Sequence, residues 1–121
     1  MQRSIYGLGL IVLFAIAAGA CSKASEEELD PPCDTTGMRY SIDILPVIAA
    51  HCYSCHGNGT ITEGVDLDGY ENLKSRADNG DLLGAITHAA GYTPMPYNQP
   101  KLSDCDINKI KAWIQSGAPN N

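Results

Sequence analysis

The chain has 121 residues, of which 44% are hydrophobic, 18% charged and 7% aromatic. This composition is that of one small globular domain and excludes a wholly disordered chain. Because 14 Asp and Glu outnumber 8 Lys and Arg, for a formal net charge of −6, nucleic acid and anionic membrane surfaces are disfavoured as ligands, and a basic patch is expected on any protein partner.

Residues 1–20 have the features of an export signal. Arg3 supplies a positive start, and the stretch from Ile5 to Ala20 is apolar apart from Tyr6 and three glycines. The run is too short for a transmembrane helix. It therefore predicts a secretory signal peptide.

The end of that run, "AAGAC", places small residues before Cys21. It resembles the lipobox of bacterial lipoproteins, whose cysteine is lipidated on sulfur and becomes the mature N-terminus. Ala18 stands where those proteins more often have Leu, so ordinary signal cleavage nearby stays an alternative. The resemblance implies export to the periplasm or cell surface and anchoring to a bacterial membrane by several acyl chains, which suffice for stable binding.

Residues 21–32 are predicted to form an acidic tether. After Cys21 the run "SKASEEELDPP" contains small and acidic residues, two prolines and a single leucine. A segment with so little apolar surface to bury stays extended and solvated. The folded domain is therefore predicted over residues 33–121, and no repeat or second domain is visible in it.

Short helices separated by irregular loops are predicted in the first part of this domain. "YSIDILPVIAAHC" predicts a helix with Ser41 as its N-cap and with a bend or break at Pro46. "YENLKSRA" and "DLLGAITHAA" predict two further short helices, whereas "GNGTITEGVDLDGY" and "GYTPMPYNQPK" are rich in glycine or proline and predict loops.

The final segment, "LSDCDINKIKAWIQSGAPNN", predicts the clearest helix. Ser103 is the expected N-cap, with Asp106 three residues later, and Gly117 is the expected stop. The apolar face consists of Ile107, Ile110, Ile114 and Trp113. The tryptophan is expected to pack in the core rather than to take part in chemistry.

Cys52, Cys55 and His56 form the C-x-x-C-H pattern by which a c-type haem is attached. Two thiols one helical turn apart can each form a thioether with one vinyl group of the porphyrin. His56 then lies beneath the iron and can bind it as the proximal ligand.

Three other interpretations of this pattern are weaker. A redox-active C-x-x-C usually lies near a βαβ pattern, which this chain lacks. A zinc site needs about four Cys or His ligands, and a second pair is missing. A disulfide between Cys52 and Cys55 would close too small a loop to stabilise much and would leave His56 without a role.

A second axial ligand is expected downstream of the attachment pattern. Met95 is the candidate because Pro94 and Pro96 restrict its backbone and can hold its sulfur in place. His88 is the alternative ligand. A role in packing alone is the simpler interpretation of a lone methionine or of a histidine in a helix.

The order of "CYSCH", short helices, "GYTPMPYNQPKLS" and a last helix with "IKAWI" resembles the class I cytochromes c, over roughly residues 38–118. The resemblance implies an all-α fold in which the N- and C-terminal helices cross beside one covalently bound haem c. Transferred residue by residue, it implies thioethers at Cys52 and Cys55 and iron ligation by His56 and Met95.

Within this interpretation two cysteines remain, Cys33 and Cys105, and they are expected to form a disulfide in an oxidising compartment. The expected function is single-electron transfer between partner proteins by a monomer that cycles Fe(III) and Fe(II) and transforms no substrate. A haem-based sensor and a peroxidase-like module are the alternatives, and both require an exchangeable sixth ligand.

Overall fold

The computed structural model describes residues 32–121. The helical elements in this range are a π-helical turn at Tyr40–Ile44 and helices α1 Leu45–His51, α2 Tyr53–His56, α3 Tyr70–Asp78, α4 Asp81–Ile86 and α5 Asp104–Gln115. The β pairing found in the range is an isolated bridge between Thr62 and Val65. The predicted all-α fold is therefore confirmed.

Several sequence predictions lie outside the described residues. These are the signal peptide at residues 1–20, the lipidation site at Cys21, and all of the tether at residues 21–32 except Pro32. They stay predictions. Within residues 32–121 no helix is long and apolar enough to cross a membrane.

The core is built from apolar pairs spaced one helical turn apart. Residues four apart lie on the same face of a helix, so such pairs face one shared interior. The buried pairs are Ile44 with Ile48, Leu73 with Ala77, and Leu82 with Ile86, while α5 contributes Ile107, Ile110 and Trp113.

The first helical segment begins differently from the prediction. Ser41 is not an N-cap: it lies inside the π-helical turn, whose N-cap position is Arg39. Its hydroxyl donates instead to the main-chain oxygen of Asn121 over 2.8 Å. Pro46 divides the segment as predicted, because a residue without an N–H is tolerated in the first turn of α1.

Both ends of α5 agree with the sequence prediction. The Ser103 hydroxyl oxygen accepts from the Asp106 N–H over 3.0 Å, and the hydroxyl donates to the Asp106 carboxylate over 2.7 Å. Gly117 ends the helix with a φ of 92°, and the N–H of Ala118 donates back to the Trp113 carbonyl over 2.9 Å. Glycine adopts this left-handed conformation without strain.

Trp113 packs in the core, as predicted, with 0% of its surface exposed. Its indole N–H donates to the Pro119 carbonyl over 2.9 Å. The ring stacks on Tyr40 at a centroid distance of 6.0 Å, and Tyr40 meets Tyr70 edge-on at 5.2 Å. These aromatic contacts hold the N- and C-terminal helical segments together.

A disulfide joins Cys33 to Cys105, the pair expected from the cysteine count. Their Cα atoms lie 5.5 Å apart and are 72 residues apart in sequence. In the chain-entropy description, closing a loop of this length stabilises the folded state by about 4 kcal/mol. The cross-link therefore supports a domain whose core is small.

Candidate functional site

The three residues of the attachment pattern lie on one helical turn. Cys52 lies between α1 and α2, and α2 carries Cys55 and His56. The N–H groups of Cys55 and His56 both donate to the Cys52 carbonyl, over 3.1 and 2.9 Å. Because residues three apart share a helix face, the turn brings the two thiols to the same side.

The His56 side chain is 8% exposed and is held by a backbone carbonyl. Its Nδ1 lies 3.1 Å from the Val65 oxygen. A carbonyl only accepts, so Nδ1 carries the proton and Nε2 of the neutral ring keeps its lone pair. This is the arrangement in which a histidine binds a metal through Nε2 while a second partner orients the ring.

The loop after α2 is itself fastened to the attachment turn. The Thr62 N–H donates to the Cys55 carbonyl over 3.0 Å, and the Leu67 N–H donates to the His56 carbonyl over 2.7 Å. Between these two points a tight turn closes with the Val65 N–H donating to Thr62 over 3.0 Å. The Val65 carbonyl therefore has a defined position relative to His56.

The two thiols differ in environment. Cys52 is partly buried and Cys55 is exposed, and neither belongs to a disulfide. Burial raises the pKa of the Cys52 thiol to about 11. Redox-active dithiols depend on a lowered thiol pKa, so this site does not favour the thioredoxin-like alternative.

Gly57 follows His56 and is required by a close contact that sequence reasoning missed. A Cβ atom added there would lie 2.5 Å from the ring of Tyr53. Its backbone is extended, with a φ of −168°, so the requirement is steric rather than conformational. The ring of Tyr53 thus packs directly on the backbone beside the histidine.

Met95 is partly buried, and both its backbone N–H and its carbonyl form hydrogen bonds. Its N–H donates to the Ala85 carbonyl over 3.0 Å. Its carbonyl oxygen accepts from Nε2 of His88 over 3.1 Å. The loop between Pro94 and Pro96 is therefore fastened to the C-terminal end of α4, and neither bond uses the methionine sulfur.

His88 does not lie in a helix, which corrects the sequence prediction. Helix α4 ends at Ile86, and His88 has a φ of 55°, which is left-handed. The helix ends in a turn around the left-handed His88. The His88 N–H donates to the Ala85 carbonyl over 3.2 Å, and the Ala89 N–H donates to the Gly84 carbonyl over 2.9 Å. The apolar run had suggested four further helical residues, but the chain turns here instead.

Both segments that carry candidate iron ligands are uncharged. Residues 44–62 and residues 82–100 contain no Asp, Glu, Lys or Arg. The first segment carries Cys52, Cys55 and His56, and the second carries Met95. Buried cofactors with few charges nearby retain a low local dielectric, which is one determinant of haem potential.

These groups fit a covalently attached haem. Cys52 and Cys55 are free to form two thioethers, and His56 has Nε2 available for iron. Over residues 32–121 no three side chains of the metal-binding types gather into a cluster. A zinc site would require such a cluster, so the donor set suits haem better.

Comparison with known proteins identified one family. The family model described as Cytochrome c matches residues 46–118, a range that includes the attachment turn and Met95. A search of curated proteins and a search of solved structures each found no match.

Proposed function

The chain belongs to the cytochrome c family, and from this premise we propose that it is a single-electron carrier rather than an enzyme. Membership in the cytochrome c family and the all-α fold are thereby confirmed, whereas the class I type stays a proposal. Members of the family bind haem c covalently. For this chain we propose one such haem, whose iron supplies a one-electron Fe(III)/Fe(II) couple when bound.

The observation that carries this proposal is the His56 to Val65 contact. The contact fixes the ring and its tautomer, which leaves Nε2 for the iron. Cys52 and Cys55, on the same turn, are the proposed thioether residues. The protein thus contributes two covalent attachments and an oriented proximal ligand.

Met95 is the proposed sixth ligand. Support comes from its partial burial and from the two hydrogen bonds that hold its backbone, to Ala85 and His88. A fixed thioether favours a low-spin iron with a higher potential than two histidines would give. The sensor and peroxidase alternatives require a sixth position that exchanges readily, and the fastened loop does not favour them.

We propose that the protein is exported and held at a membrane by lipid on Cys21. Cytochrome c domains are typically exported, and the motif at residues 18–21 supports lipidation. The tether at residues 21–32 would then allow the domain to move relative to its anchor. Metabolic labelling with a radioactive fatty acid tests this, with Cys21→Ser as the control.

The partner proposal follows from where the charges lie. The ligand-bearing segments are uncharged, whereas acidic side chains lie elsewhere, among them Glu63, Asp66, Asp68 and Glu71. We propose that this monomer meets a redox partner whose docking surface is apolar at its centre and basic at its rim. Added salt should then slow association, and a salt-independent rate would contradict the basic rim.

The central experiment is a visible spectrum of protein made in a host with haem-attachment machinery. Intact mass should show one covalent haem in the wild type and none in the Cys52→Ser, Cys55→Ser double variant. The oxidised protein should show the weak long-wavelength band of iron bound to methionine sulfur. Unmodified mass for the wild type would reject the haem proposal. Covalent haem without the band would reject Met95.

A further inference from the structure

We propose that His88 is a positioning residue for the sixth ligand: its Nε2–H donates to the Met95 carbonyl and keeps the methionine backbone in place. The inference rests on the proposed function, because it takes Met95 as the iron ligand. It gives His88 a different role from the alternative ligand considered from the sequence.

The position of the imidazole depends on how α4 ends. The helix stops at Ile86, and the N–H of His88 donates to the Ala85 carbonyl over 3.2 Å. His88 then adopts a left-handed backbone with a φ of 55°. Residues other than glycine adopt this conformation seldom, and it marks positions that the surrounding structure determines strongly.

The resulting contact completes a two-point attachment of Met95. The Met95 N–H is bound by the Ala85 carbonyl at 3.0 Å, and the Met95 carbonyl is bound by His88 Nε2 at 3.1 Å. Without the imidazole only the first bond remains. The peptide on the C-terminal side of Met95 would then lose its link to α4, although the flanking prolines would be unchanged.

The proton arrangement makes the two roles of His88 exclusive at Nε2. A carbonyl accepts but cannot donate, so Nε2 must carry a proton in this contact. A protonated nitrogen has no lone pair for a metal. While the contact lasts, His88 supports Met95 and does not bind iron through Nε2.

The test uses the oxidised holoprotein and measures how readily added imidazole displaces the methionine. In His88→Ala the apparent affinity for imidazole should rise about threefold to tenfold, the range expected when one net hydrogen bond is lost. His88→Gln should restore near wild-type affinity, because a glutamine amide can donate to the same carbonyl. His51→Ala, which removes an exposed histidine of α1, is the matched control.

Each outcome decides between the possibilities. The inference would be overturned if His88→Ala bound imidazole with wild-type affinity, or if His88→Gln bound it as His88→Ala does. In either case a methionine band in the wild type would leave the Met95 assignment standing. If His88→Ala loads haem poorly, the glutamine variant supplies the comparison with wild type, and a raised affinity there contradicts the inference. If the wild type lacked the methionine band and His88→Ala lost the sixth ligand, His88 itself would be the ligand. That result would overturn both the inference and the Met95 assignment.

Discussion

The Nδ1 atom of His56 lies 3.1 Å from the carbonyl oxygen of Val65, nine residues further along the chain. The turn that places this carbonyl has two residues with positive φ, Glu63 at 52° and Gly64 at 70°. The orientation of the proximal ring therefore depends on a short segment that contributes no side chain to it.

Two substitutions in this turn should change the stability of the protein in opposite directions. Gly64→Ala places a Cβ on a left-handed residue and should destabilise the holoprotein by about 1 kcal/mol. Glu63→Asn should stabilise it by a few tenths of a kcal/mol, because asparagine tolerates this conformation and Asn-Gly favours such turns. Denaturant titration followed by the haem absorbance measures the free energy of unfolding of both variants. Equal shifts of that free energy in the same direction would contradict the left-handed conformation assigned to Glu63 and Gly64.

Substitutions at two methionines should distinguish iron ligation from core packing. Met95→Ala should abolish the long-wavelength methionine band and lower the reduction potential, because the thioether sulfur that raises the potential of the iron is lost. Met38 is 8% exposed and belongs to the core, so Met38→Ala should destabilise the fold by about 2 to 5 kcal/mol and leave that band in place. Spectra and melting curves of both variants make the comparison, and an unchanged spectrum for Met95→Ala would reject it as ligand.

The disulfide should affect stability and leave the spectrum unchanged. Replacing Cys33 and Cys105 together by serine removes the cross-link across 72 residues and should cost up to about 4 kcal/mol. The haem spectrum should not change, because neither cysteine belongs to the attachment turn. An unfolding midpoint equal to that of the wild type would show that the cross-link does not stabilise the domain.

The start of the π-helical turn predicts a dependence on pH. Hydrogen bonds from the Arg39 backbone N–H and side chain lower the pKa of Asp43 below its ordinary 3.8. The unfolded carboxylate thus binds its proton first as the pH falls, so this stabilisation is present above pH 3.8 and is lost as the pH falls through the lower folded pKa.

Asp43→Asn should accordingly melt at a lower temperature than the wild type at pH 7. The difference in melting temperature should narrow as the pH falls below 3.8 and should be gone once the pH is below the folded pKa of Asp43. Glu71→Gln, at an exposed position of α3, serves as the matched charge-removing control. A difference in melting temperature that stays constant as the pH falls would show that the Asp43 charge does not contribute to stability.

The sequence predicted those features that are local along the chain. The thiols, the proximal histidine and both ends of α5 could be found because their residues lie within one or two helical turns of each other. The Val65 carbonyl could not be found, since every residue carries a carbonyl and only the folded loop selects one. A hydrogen bond from Nε2 of His88 to a backbone oxygen was hidden for the same reason.

The errors also have physical causes. The run "DLLGAITHAA" continues an apolar pattern beyond Ile86, but His88 adopts a left-handed backbone and the Ala89 N–H turns back to the Gly84 carbonyl, so the helix ends. Serine is a residue type that often caps helices, yet the Ser41 hydroxyl donates to the main-chain oxygen of Asn121, a residue distant in sequence. A left-handed turn overrode the apolar pattern at the end of α4, and a tertiary contact overrode the local preference of Ser41.

The division of the cysteines also has a consequence for maturation. Four thiols in residues 32–121 allow three complete pairings, and attachment of the prosthetic group requires that Cys52 and Cys55 both be reduced. Cys52 and Cys55 are neighbours, so they meet far more readily than residues 72 apart. The yield of mature protein should therefore depend on the thiol–disulfide poise of the export compartment, with too oxidising a host trapping the vicinal pair before haem arrives.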